Sequence, residues 1–401
     1  MMMIKAVLLD LDNTLLRNPQ QAFTAEYLRL LDEFFYSRHF QQQVSRVILN
    51  AVRTLIAQKP IKLSNTDFML TRLAGALDTP ITELRTLFDE FYRFVYPTLR
   101  RCTEQIPGVA ALYEYLMRED YMVAIATNPL YPAEAIRQRL EWAGLPGDLT
   151  AYEFVSHSDN MHFIKPQPEY YAEVVARVGI EPDEAVMVGD DVVNDMIPAG
   201  QLGIRTFQVF DGRSNKWSTR ADAAGHLRDF HKSAAQYGWL DIPLPYRLNP
   251  AMIETELRGN LGALYGLISE VQPHYWDQHP DPAEWSIMQI VCHLLESEIN
   301  VQRPRLETIL QTDNPFLVSP RAPAGPEAEN CAADGYAVVE EFETERQKTI
   351  AFLQQIPTEA WNRPARHSVF GNTTFLEMAY FTAQHDRLHV NQLCQTLGNC
   401  S

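Results

Sequence analysis

Short apolar runs alternate with stretches of helical period along the first half of this chain, and this alternation limits its fold more than any other feature. The runs cover residues 4–9, 122–126, 153–156, 185–188 and 206–210. Strands that alternate with helices along a sequence typically assemble into one parallel sheet with crossover helices. The N-terminal half is therefore predicted to be an α/β domain.

An unusually long segment, residues 16–106, separates the first two predicted strands. Its aromatic and leucine residues recur with the period of an α-helix throughout. We therefore predict that this segment is a helical cap inserted into the α/β core.

The alternation stops after about residue 225, and a proline-punctuated connector follows. A chain of 401 residues is also too long for one ordinary core, so two domains joined by a linker are expected. The predicted boundaries are a core of residues 1–15 and 107–236, a cap of residues 16–106, a linker of residues 237–248 and a second domain of residues 249–401.

Helix-start signals dominate the second domain. Asn249 and Pro250 supply an N-cap and a first-turn proline for a helix that runs to about residue 271. Ser286 and Thr374 each begin a capping box, and residues 338–355 have helical period. Four helices without a convincing strand predict an all-α four-helix bundle, with the proline- and alanine-rich residues 319–335 as a loop.

Charge and cysteine content limit which binding partners and which cellular compartment are expected. The formal net charge of −17 would repel nucleic acids and anionic membranes, so neither is expected to bind. No apolar run approaches the length of a transmembrane helix. The five cysteines are odd in number and scattered without a C-x-x-C pair, which indicates neither a disulfide framework nor a zinc knuckle and favours a reducing cytoplasm.

Carboxylates follow two of the predicted strands directly. Asp10 and Asp12 come after the first strand, and Asp190 and Asp195 come after the strand at 185–188. The carboxyl ends of parallel strands meet at one edge of a sheet, where such folds bind ligands. An oxygen-rich cluster at this edge suits Mg²⁺, which proteins hold with a few carboxylates together with phosphate and water.

Two other strand ends carry groups that suit phosphate. Thr127 and Asn128 can donate hydrogen bonds to phosphate oxygens, and the Lys165 ammonium can neutralise charge on a transferring group. Taken singly, these residues would be interpreted as caps, solvated loops or surface side chains. Their joint occurrence at the ends of successive predicted strands indicates a phosphoryl-transfer site.

The strand-end residues group into four motifs, which are Asp10-x-Asp12, Thr127, Lys165-Pro166 and Gly189-Asp190-x-x-x-x-Asp195. In this order they resemble the motifs of the haloacid dehalogenase-like hydrolases, over about residues 3–235. The resemblance implies a doubly wound Rossmann-like core, with the helical insertion acting as a cap over the site.

The resemblance also implies a role for each motif residue. Asp10 would attack phosphorus to give an aspartyl phosphate. Mg²⁺ would be held by the Asp10 carboxylate, the Asp12 backbone carbonyl and Asp190, and Asp195 would support the metal shell. The residues implied to hold the phosphoryl oxygens are Thr127 and Lys165.

Asp12 decides between the reaction classes of this family. A second carboxylate can protonate the leaving alcohol and then deprotonate the attacking water. The dehalogenases of the family carry a non-acidic residue at this position, so Asp12 favours phosphate monoesters over haloacids. The expected substrate is a small phosphorylated metabolite.

Histidines of the second domain could form a metal site. His385 and His389 are four residues apart and therefore lie on one side of a helix, and His293 lies on another helix. This spacing also fits ordinary histidines on the polar face of a helix. The competitors for the third position are His274, His279 and His367.

The residues around these histidines form the pattern Trp285-Ser286…His293-Leu294-x-x-x-Glu298, followed by Phe370-Gly371-Asn372-Thr373-Thr374 and His385-Asp386-x-x-His389-x-x-Gln392. This pattern resembles the DinB-like family of four-helix metalloproteins over about residues 249–397. The resemblance implies that His293, His385 and His389 bind Zn²⁺ or Ni²⁺ and leave open positions for water or substrate. Asp386 could orient one imidazole, or it could have a plain polar or capping role.

The favoured prediction is a magnesium-dependent phosphatase fused to a bundle with a second metal site. In one alternative the bundle is a non-catalytic binding or dimerisation module, and a homodimer would form through it. In another, a metal-dependent thiol transfer or amide hydrolysis in the bundle is the main activity, as in some DinB-like relatives.

Overall fold

The computed structural model describes residues 4–210, 218–242, 248–319, 331 and 334–400. The chain divides into two compact units, Met1–Pro245 and Tyr246–Ser401. In the part of the chain that is described, no helix combines the length and the apolarity needed to cross a bilayer.

The strands of the first unit are β1 (Ala6–Leu9), β2 (Leu16–Arg17), β3 (Glu104–Gln105), β4 (Met122–Ile125), β5 (Phe154–Val155), β6 (Ala185–Gly189), β7 (Arg205–Val209) and β8 (Ala223–Gly225). Six of them form a parallel sheet in the order β5-β4-β1-β6-β7-β8. Leu9 of β1 lies opposite both Ile125 and Val188, so β1 and β4 end at the same level and β6 continues one residue further. The predicted parallel sheet is confirmed.

The sixth strand of this sheet, β8, was missed by the sequence analysis. Its residues Ala223, Ala224 and Gly225 have little apolar surface and no alternating pattern. They pair with β7 at the edge of the sheet, and this pairing is set by the backbone of the neighbouring strand.

Nine helices accompany these strands among the described residues of the first unit. They are α1 (Gln20–Tyr36), α2 (Val44–Gln58), α3 (Asn65–Leu77), α4 (Ile81–Glu90), α5 (Val109–Arg118), α6 (Ala133–Trp142), α7 (Pro168–Val178), α8 (Ile197–Gln201) and α9 (Leu227–Tyr237). Helices α1 to α4 form the cap, and a π-turn at Phe91–Val95 and a 3₁₀ helix at Tyr96–Cys102 continue it.

The sequence analysis expected a cap that is helical throughout, and the structure differs from this expectation at the two ends of the cap. Its two ends, β2 and β3, pair as an antiparallel ribbon with Leu16 opposite Gln105. Two chain segments that enter and leave an insertion side by side can satisfy each other's backbone groups in this way. Buried aromatic side chains, including Phe23, Phe91 and Tyr96, join the cap to one continuous hydrophobic core with the sheet.

The second unit contains the helices α10 (Pro250–Ile268), α11 (Ile287–Ser297), α12 (Arg303–Gln311), α13 (Gly335–Leu353) and α14 (Phe375–Cys400). A π-turn at Glu298–Gln302 joins α11 to α12 without a break. The capping signals act as expected, because the Asn249 side chain accepts hydrogen bonds from the first turn of α10 and Ser286 forms a capping box at α11. A bundle of helices is thus confirmed.

The expectation of a second unit without strands is wrong. The strands β9 (Phe316–Leu317), β10 (Pro364–His367) and β11 (Gly371–Thr374) form a small sheet in the order β11-β10-β9. β9 has only two residues, and β10 and β11 are short and largely polar, so none of the three shows the apolar alternation by which strands are recognised. Gly371, with φ +75°, opens β11 in a left-handed conformation that favours glycine.

The expectation that the cysteines form no disulfide is also wrong for one pair. Cys292 on α11 and Cys331 are joined by an S–S bond of 2.12 Å across a sequence separation of 39 residues. Such a pairing depends on tertiary proximity and leaves no spacing signal in the sequence. Within the predicted loop at 319–335, residues 320–330, 332 and 333 lie outside the described residues.

Candidate active site and metal centre

The carboxyl edge of the parallel sheet positions Asp10. The residue follows the last paired residue of β1, and its backbone amide donates a hydrogen bond of 2.9 Å to the Val188 carbonyl of β6. Because β1 and β6 are held in register, Asp10 faces the loop that begins at Gly189. The pairing of β1 with β6 therefore places the first and last predicted motifs next to each other.

Lys165 lies between two of the predicted carboxylates. Its Nζ donates hydrogen bonds of 2.8 Å to Asp10 Oδ1 and 2.6 Å to Asp195 Oδ1. The three residues are 3%, 6% and 1% exposed, respectively. Burial lowers the pKa of Lys165, but the charges of Asp10 and Asp195 outweigh it and raise the pKa well above its usual value. The ammonium is thus held in its charged form inside the protein.

Asp190 completes a cluster of three acids. Ligand oxygens of Asp10, Asp190 and Asp195 all lie within 4.8 Å of one another. Burial and the charges of Asp10 and Asp195 raise the pKa of Asp190 to about 8. Burial also raises the pKa of Asp195 to about 7, although Lys165 opposes the shift. The three acids also outnumber the one lysine between them, and such an oxygen-rich cluster is the donor set that a divalent cation fits.

The loop after β6 is shaped to hold Asp195 against this cluster. A Cβ at Gly189 would clash with the Asp195 carboxylate, so glycine allows the close approach. The Asp191 side chain caps the following π-turn by accepting from the Val193 and Asn194 amides. The Asp191 amide in turn donates a 3.0 Å hydrogen bond to Asp195 Oδ2.

Asp12 lies on the more open side of the site. Its side chain is 35% exposed and forms an ion pair with Arg139 of α6, which is fully buried. Asn18 Nδ2 donates a second hydrogen bond, of 3.0 Å, to Asp12 Oδ1. Burial lowers the pKa of Arg139 to about 10, against an opposing effect of Asp10, so the guanidinium stays charged at neutral pH. Asp12 is therefore held in place by two donors on a side of the site that a ligand can reach.

Thr127 and Asn128 follow β4 at the same edge. The hydroxyls of Ser156 and Tyr170 both lie 2.8 Å from the Thr127 carbonyl oxygen, and they fix the backbone there. Thr127 is buried, and the Oδ1 atom of Asn128 is buried without a hydrogen-bond partner. The strand end therefore presents polar groups next to Asp12.

A second cluster lies in the second unit. Ligand nitrogens of His293, His385 and His389 all lie within 4.8 Å of one another, and His293 Nε2 is 3.3 Å from His385 Nε2. Burial and the neighbouring His385 lower the pKa of His293 to about 4. Burial and both other histidines lower the pKa of His389 to about 3. The imidazoles of His293 and His389 are therefore neutral at physiological pH, as metal binding requires.

The surroundings of this triad select one ring nitrogen as a ligand. Gln392 Oε1 lies 2.9 Å from His389 Nδ1, which places the proton on Nδ1 and leaves Nε2 for a metal. The Trp285 ring stacks on His389 at a centroid distance of 5.9 Å and an interplanar angle of 9°. Tryptophan thus covers one side of the cluster with apolar surface.

Asp386 does not orient a histidine. Its Oδ1 accepts a 2.8 Å hydrogen bond from Arg346 Nη2, whereas His385 Nδ1 is 4.0 Å away. Arg346 also lies 3.1 Å from Glu298 Oε2, and all three residues are buried. Asp386 therefore belongs to a buried ion-pair network that links α13, α14 and the π-turn after α11.

Family models match both units. Residues 4–203 match the haloacid dehalogenase-like hydrolases, and residues 256–393 match the DinB superfamily. The chain joins a haloacid dehalogenase-like hydrolase unit to a DinB-like unit. No curated protein matches the chain.

Solved structures resemble each unit separately. The hydrolase unit is similar to a HAD phosphatase from Thermococcus onnurineus, at 22% identity and a TM-score of 0.38, over 58% of this chain and 98% of that one. It is also similar to a 2-haloacid dehalogenase from Pseudomonas syringae pv. Tomato, at 21% identity and a TM-score of 0.42, over 59% and 100% of the two chains. The DinB-like unit is similar to YfiT from Bacillus subtilis, at 15% identity and a TM-score of 0.31, over 39% and 91%.

Sequence reasoning missed Arg139 of the hydrolase unit. Arginine on a helix is usually solvated, and nothing around position 139 distinguishes it in the sequence. Its burial depends on Phe23 and Tyr131, whose rings lie 5.6 and 5.3 Å from its guanidinium carbon. In the DinB-like unit, the competing His367 lies in β10, buried against Phe370, away from the triad.

Proposed function

We propose that the hydrolase unit is a magnesium-dependent phosphatase that cleaves a small phosphate monoester through an aspartyl phosphate on Asp10. One observation carries the proposal. A buried Lys165 ammonium bridges Asp10 and Asp195 at the edge of the sheet, and an Asp190 oxygen lies within 4.8 Å of oxygens of both acids. Catalysis of phosphoryl transfer depends mainly on positioning and on neutralising negative charge, and this cluster supplies both.

Asp10 is the proposed nucleophile. Its carboxylate is oriented by Lys165, which also offsets the repulsion between the carboxylate and an anionic phosphate. Attack forms an oxygen–phosphorus bond to Asp10 while the bond to the leaving alcohol breaks. Thr127 and Lys165 are proposed to hold the phosphoryl oxygens during this step, and Asn128 is proposed to bind the substrate beside them.

The metal ligands are proposed to be the carboxylates of Asp10 and Asp190 and the backbone carbonyl of Asp12, with Asp195 supporting the metal shell. Three clustered carboxylates fit Mg²⁺, which favours oxygen ligands, and the pKa values of Asp190 and Asp195 are raised. When bound, Mg²⁺ supplies positive charge that neutralises the phosphoryl oxygens.

Asp12 is the proposed general acid and base. In its protonated form it gives a proton to the leaving alcohol, and as a carboxylate it then takes a proton from the water that hydrolyses the aspartyl phosphate. Arg139 and Asn18 hold Asp12 Oδ1 and so leave the other oxygen for the proton transfers.

The test compares wild-type protein with Asp10→Asn on a generic aryl phosphate, with Mg²⁺ and with a chelator. We expect magnesium-dependent turnover in the wild type and a loss of at least about 10³-fold in the variant, because a nucleophile is removed. The matched control is Asp120→Asn. Asp120 is exposed, has φ +61°, which asparagine tolerates, and precedes β4 at the opposite end of the sheet. Equal turnover in Asp10→Asn and Asp120→Asn would reject the proposal.

For the DinB-like unit we propose a transition-metal site, with Zn²⁺ or Ni²⁺ held by His293, His385 and His389. The support is the convergence of three imidazoles, one of them fixed by Gln392. Such an ion can lower the pKa of a bound water. Amide hydrolysis or thiol transfer by the isolated unit would indicate a second enzyme, whereas a metal without turnover would indicate a binding or dimerisation module.

The proposed partner of the hydrolase unit is a small phosphorylated metabolite. The formal net charge of −17 argues against nucleic acids and anionic membranes as partners. We further propose a homodimer formed through the helical bundle and a cytoplasmic location, although the Cys292–Cys331 disulfide is more typical of an oxidising compartment.

A further inference from the structure

A cavity of about 350 Å³ opens beside Asp12, between the cap helices and the core loops of the hydrolase unit. Asp12, Asn18 and Asn128 line it at the end near the catalytic residues. Its volume lies in the lower part of the range for small-molecule sites, about 300–1,000 Å³. Since Asp12 is the proposed proton donor to the leaving alcohol, the alcohol part of a substrate would occupy this cavity.

Most of the cavity wall is apolar. Leucine and valine side chains from the cap, such as Val52, Leu55 and Leu73, face it together with Leu130 of the core. Aromatic rings add to this surface. The hydroxyls of Tyr27 and Tyr92, which also line the cavity, lie 2.9 Å apart and hydrogen-bond with each other. A leaving group would therefore gain mainly from apolar contact.

The charged residues of the cavity wall disfavour an anionic leaving group. Three acids, Asp12, Asp89 and Asp159, line the cavity, and Arg85 is the one basic residue among those lining it in the described chain. Arg85 Nη2 lies 2.8 Å from Asp67 Oδ1 and is thus already paired. A second carboxylate or phosphate on the substrate would meet repulsion without a compensating cation.

Two amide oxygens mark where the leaving group can bind by hydrogen bonds. The Asn65 amide nitrogen donates to the Pro129 and Phe163 carbonyls, at 3.3 Å each, and its Oδ1 is buried without a partner. Asn128 Oδ1 is buried without a partner as well. Buried acceptors of this kind favour a ligand that offers a donor.

We propose that the substrates are monoesters of a largely apolar alcohol that carries no second anionic group and offers a hydrogen-bond donor to Asn65 or Asn128. This inference rests on the proposed phosphatase function of the same site. It excludes sugar bisphosphates and phosphorylated carboxylic acids as good substrates.

The test measures binding, so that it does not depend on turnover. 3-(4-Hydroxyphenyl)propylphosphonate, whose phenol offers a hydrogen-bond donor, and 3-carboxypropylphosphonate are titrated against wild-type protein with Mg²⁺ by calorimetry. We expect the phenyl compound to bind at least about tenfold more tightly, the smallest ratio expected when an aromatic ring of this size is buried. Equal binding, absence of binding or a preference for the carboxylate overturns the inference.

The second part of the experiment places a positive charge in the cavity wall. Val52→Lys puts a cation on the cavity wall. We expect the dissociation constant of the carboxylate compound, divided by that of the phenyl compound, to fall at least about tenfold. The matched control is Ile56→Lys, on the same helix α2 but exposed and outside the cavity wall, which should keep the wild-type ratio. An unchanged ratio in Val52→Lys counts against the inference. If the ratio behaves as expected while no phosphate ester is hydrolysed, the cavity assignment stands and the phosphatase proposal fails.

Discussion

The Nζ atom of Lys165 lies 2.8 Å from Asp10 Oδ1, in a site from which solvent is almost excluded. The two residues are separated by 155 positions in the chain and are brought together by the end of β1 and the loop before α7. In the proposed mechanism, Asp10 of this pair is the nucleophile and Lys165 compensates the charge of an approaching phosphate.

Replacing Lys165 with methionine should disable the chemistry. Methionine keeps similar bulk but leaves Asp10 and Asp195 without their shared cation. We expect kcat for an aryl phosphate to fall about 10²- to 10³-fold, as when one charge-stabilising donor is removed from an active site. Steady-state kinetics would check this, and near-wild-type kcat would show that Lys165 is only structural.

Asp12→Asn should separate substrates by their leaving groups. The variant cannot protonate the departing alcohol, so hydrolysis of an alkyl phosphate should fall about 10²- to 10⁴-fold. For an activated aryl phosphate, whose leaving group needs no proton, the rate of phosphoenzyme formation should fall much less. Burst kinetics with both substrates measures the difference. Equal losses for the two leaving groups would contradict the role of Asp12 as general acid.

The acid cluster should make the stability of the metal-free protein depend on pH. The folded-state pKa values of Asp190 and Asp195, about 8 and about 7, lie above their usual value of 3.8. Stability from these groups is therefore complete below about pH 4 and is lost as the pH rises through about 7 to 8. With a chelator, Tm should decline across this window.

Magnesium and Asp190→Asn provide the controls for that experiment. Mg²⁺ binds the ionised acids and should raise Tm most at the alkaline end. Asp190→Asn removes one of the two titrating groups and should flatten the decline in the metal-free protein. A slope that neither Mg²⁺ nor the variant changes would show that other groups govern it.

The histidine cluster of the DinB-like unit should determine its metal content. Purified wild-type protein should contain about one transition-metal ion per chain by elemental analysis, and the double variant His385→Ala/His389→Ala should contain none. The double variant His274→Ala/His279→Ala, which changes two exposed histidines of the same unit, is the control. Equal metal content in the two double variants would reject the site.

The sequence predicts the parts of this fold that depend on local pattern. Apolar runs specify strands, and parallel strands end at one edge, so Asp10 and Asp190 could be expected to meet. The i, i+4 spacing of His385 and His389 likewise follows from helix geometry. Assignment of His293 as the third member came from a family resemblance.

The parts that escaped prediction depend on tertiary contacts. The Arg139–Asp12 ion pair forms because α6 packs beneath the loop after β1, and no residue spacing encodes that packing. The Cys292–Cys331 bond arises in the same way. The strand β8 is made of small residues whose pairing is set by a neighbouring strand. Interactions of this kind leave no periodic signal in a single sequence.

The most direct test of the account is to trap the phosphoenzyme. Wild-type protein is mixed with Mg²⁺ and a phosphate ester, quenched in acid during turnover, reduced with borohydride and mapped by peptide mass spectrometry. The account predicts that the reduced acyl phosphate appears at Asp10 and is absent from Asp10→Asn. Turnover without modification of Asp10, or a phosphoryl group on another residue, would contradict it.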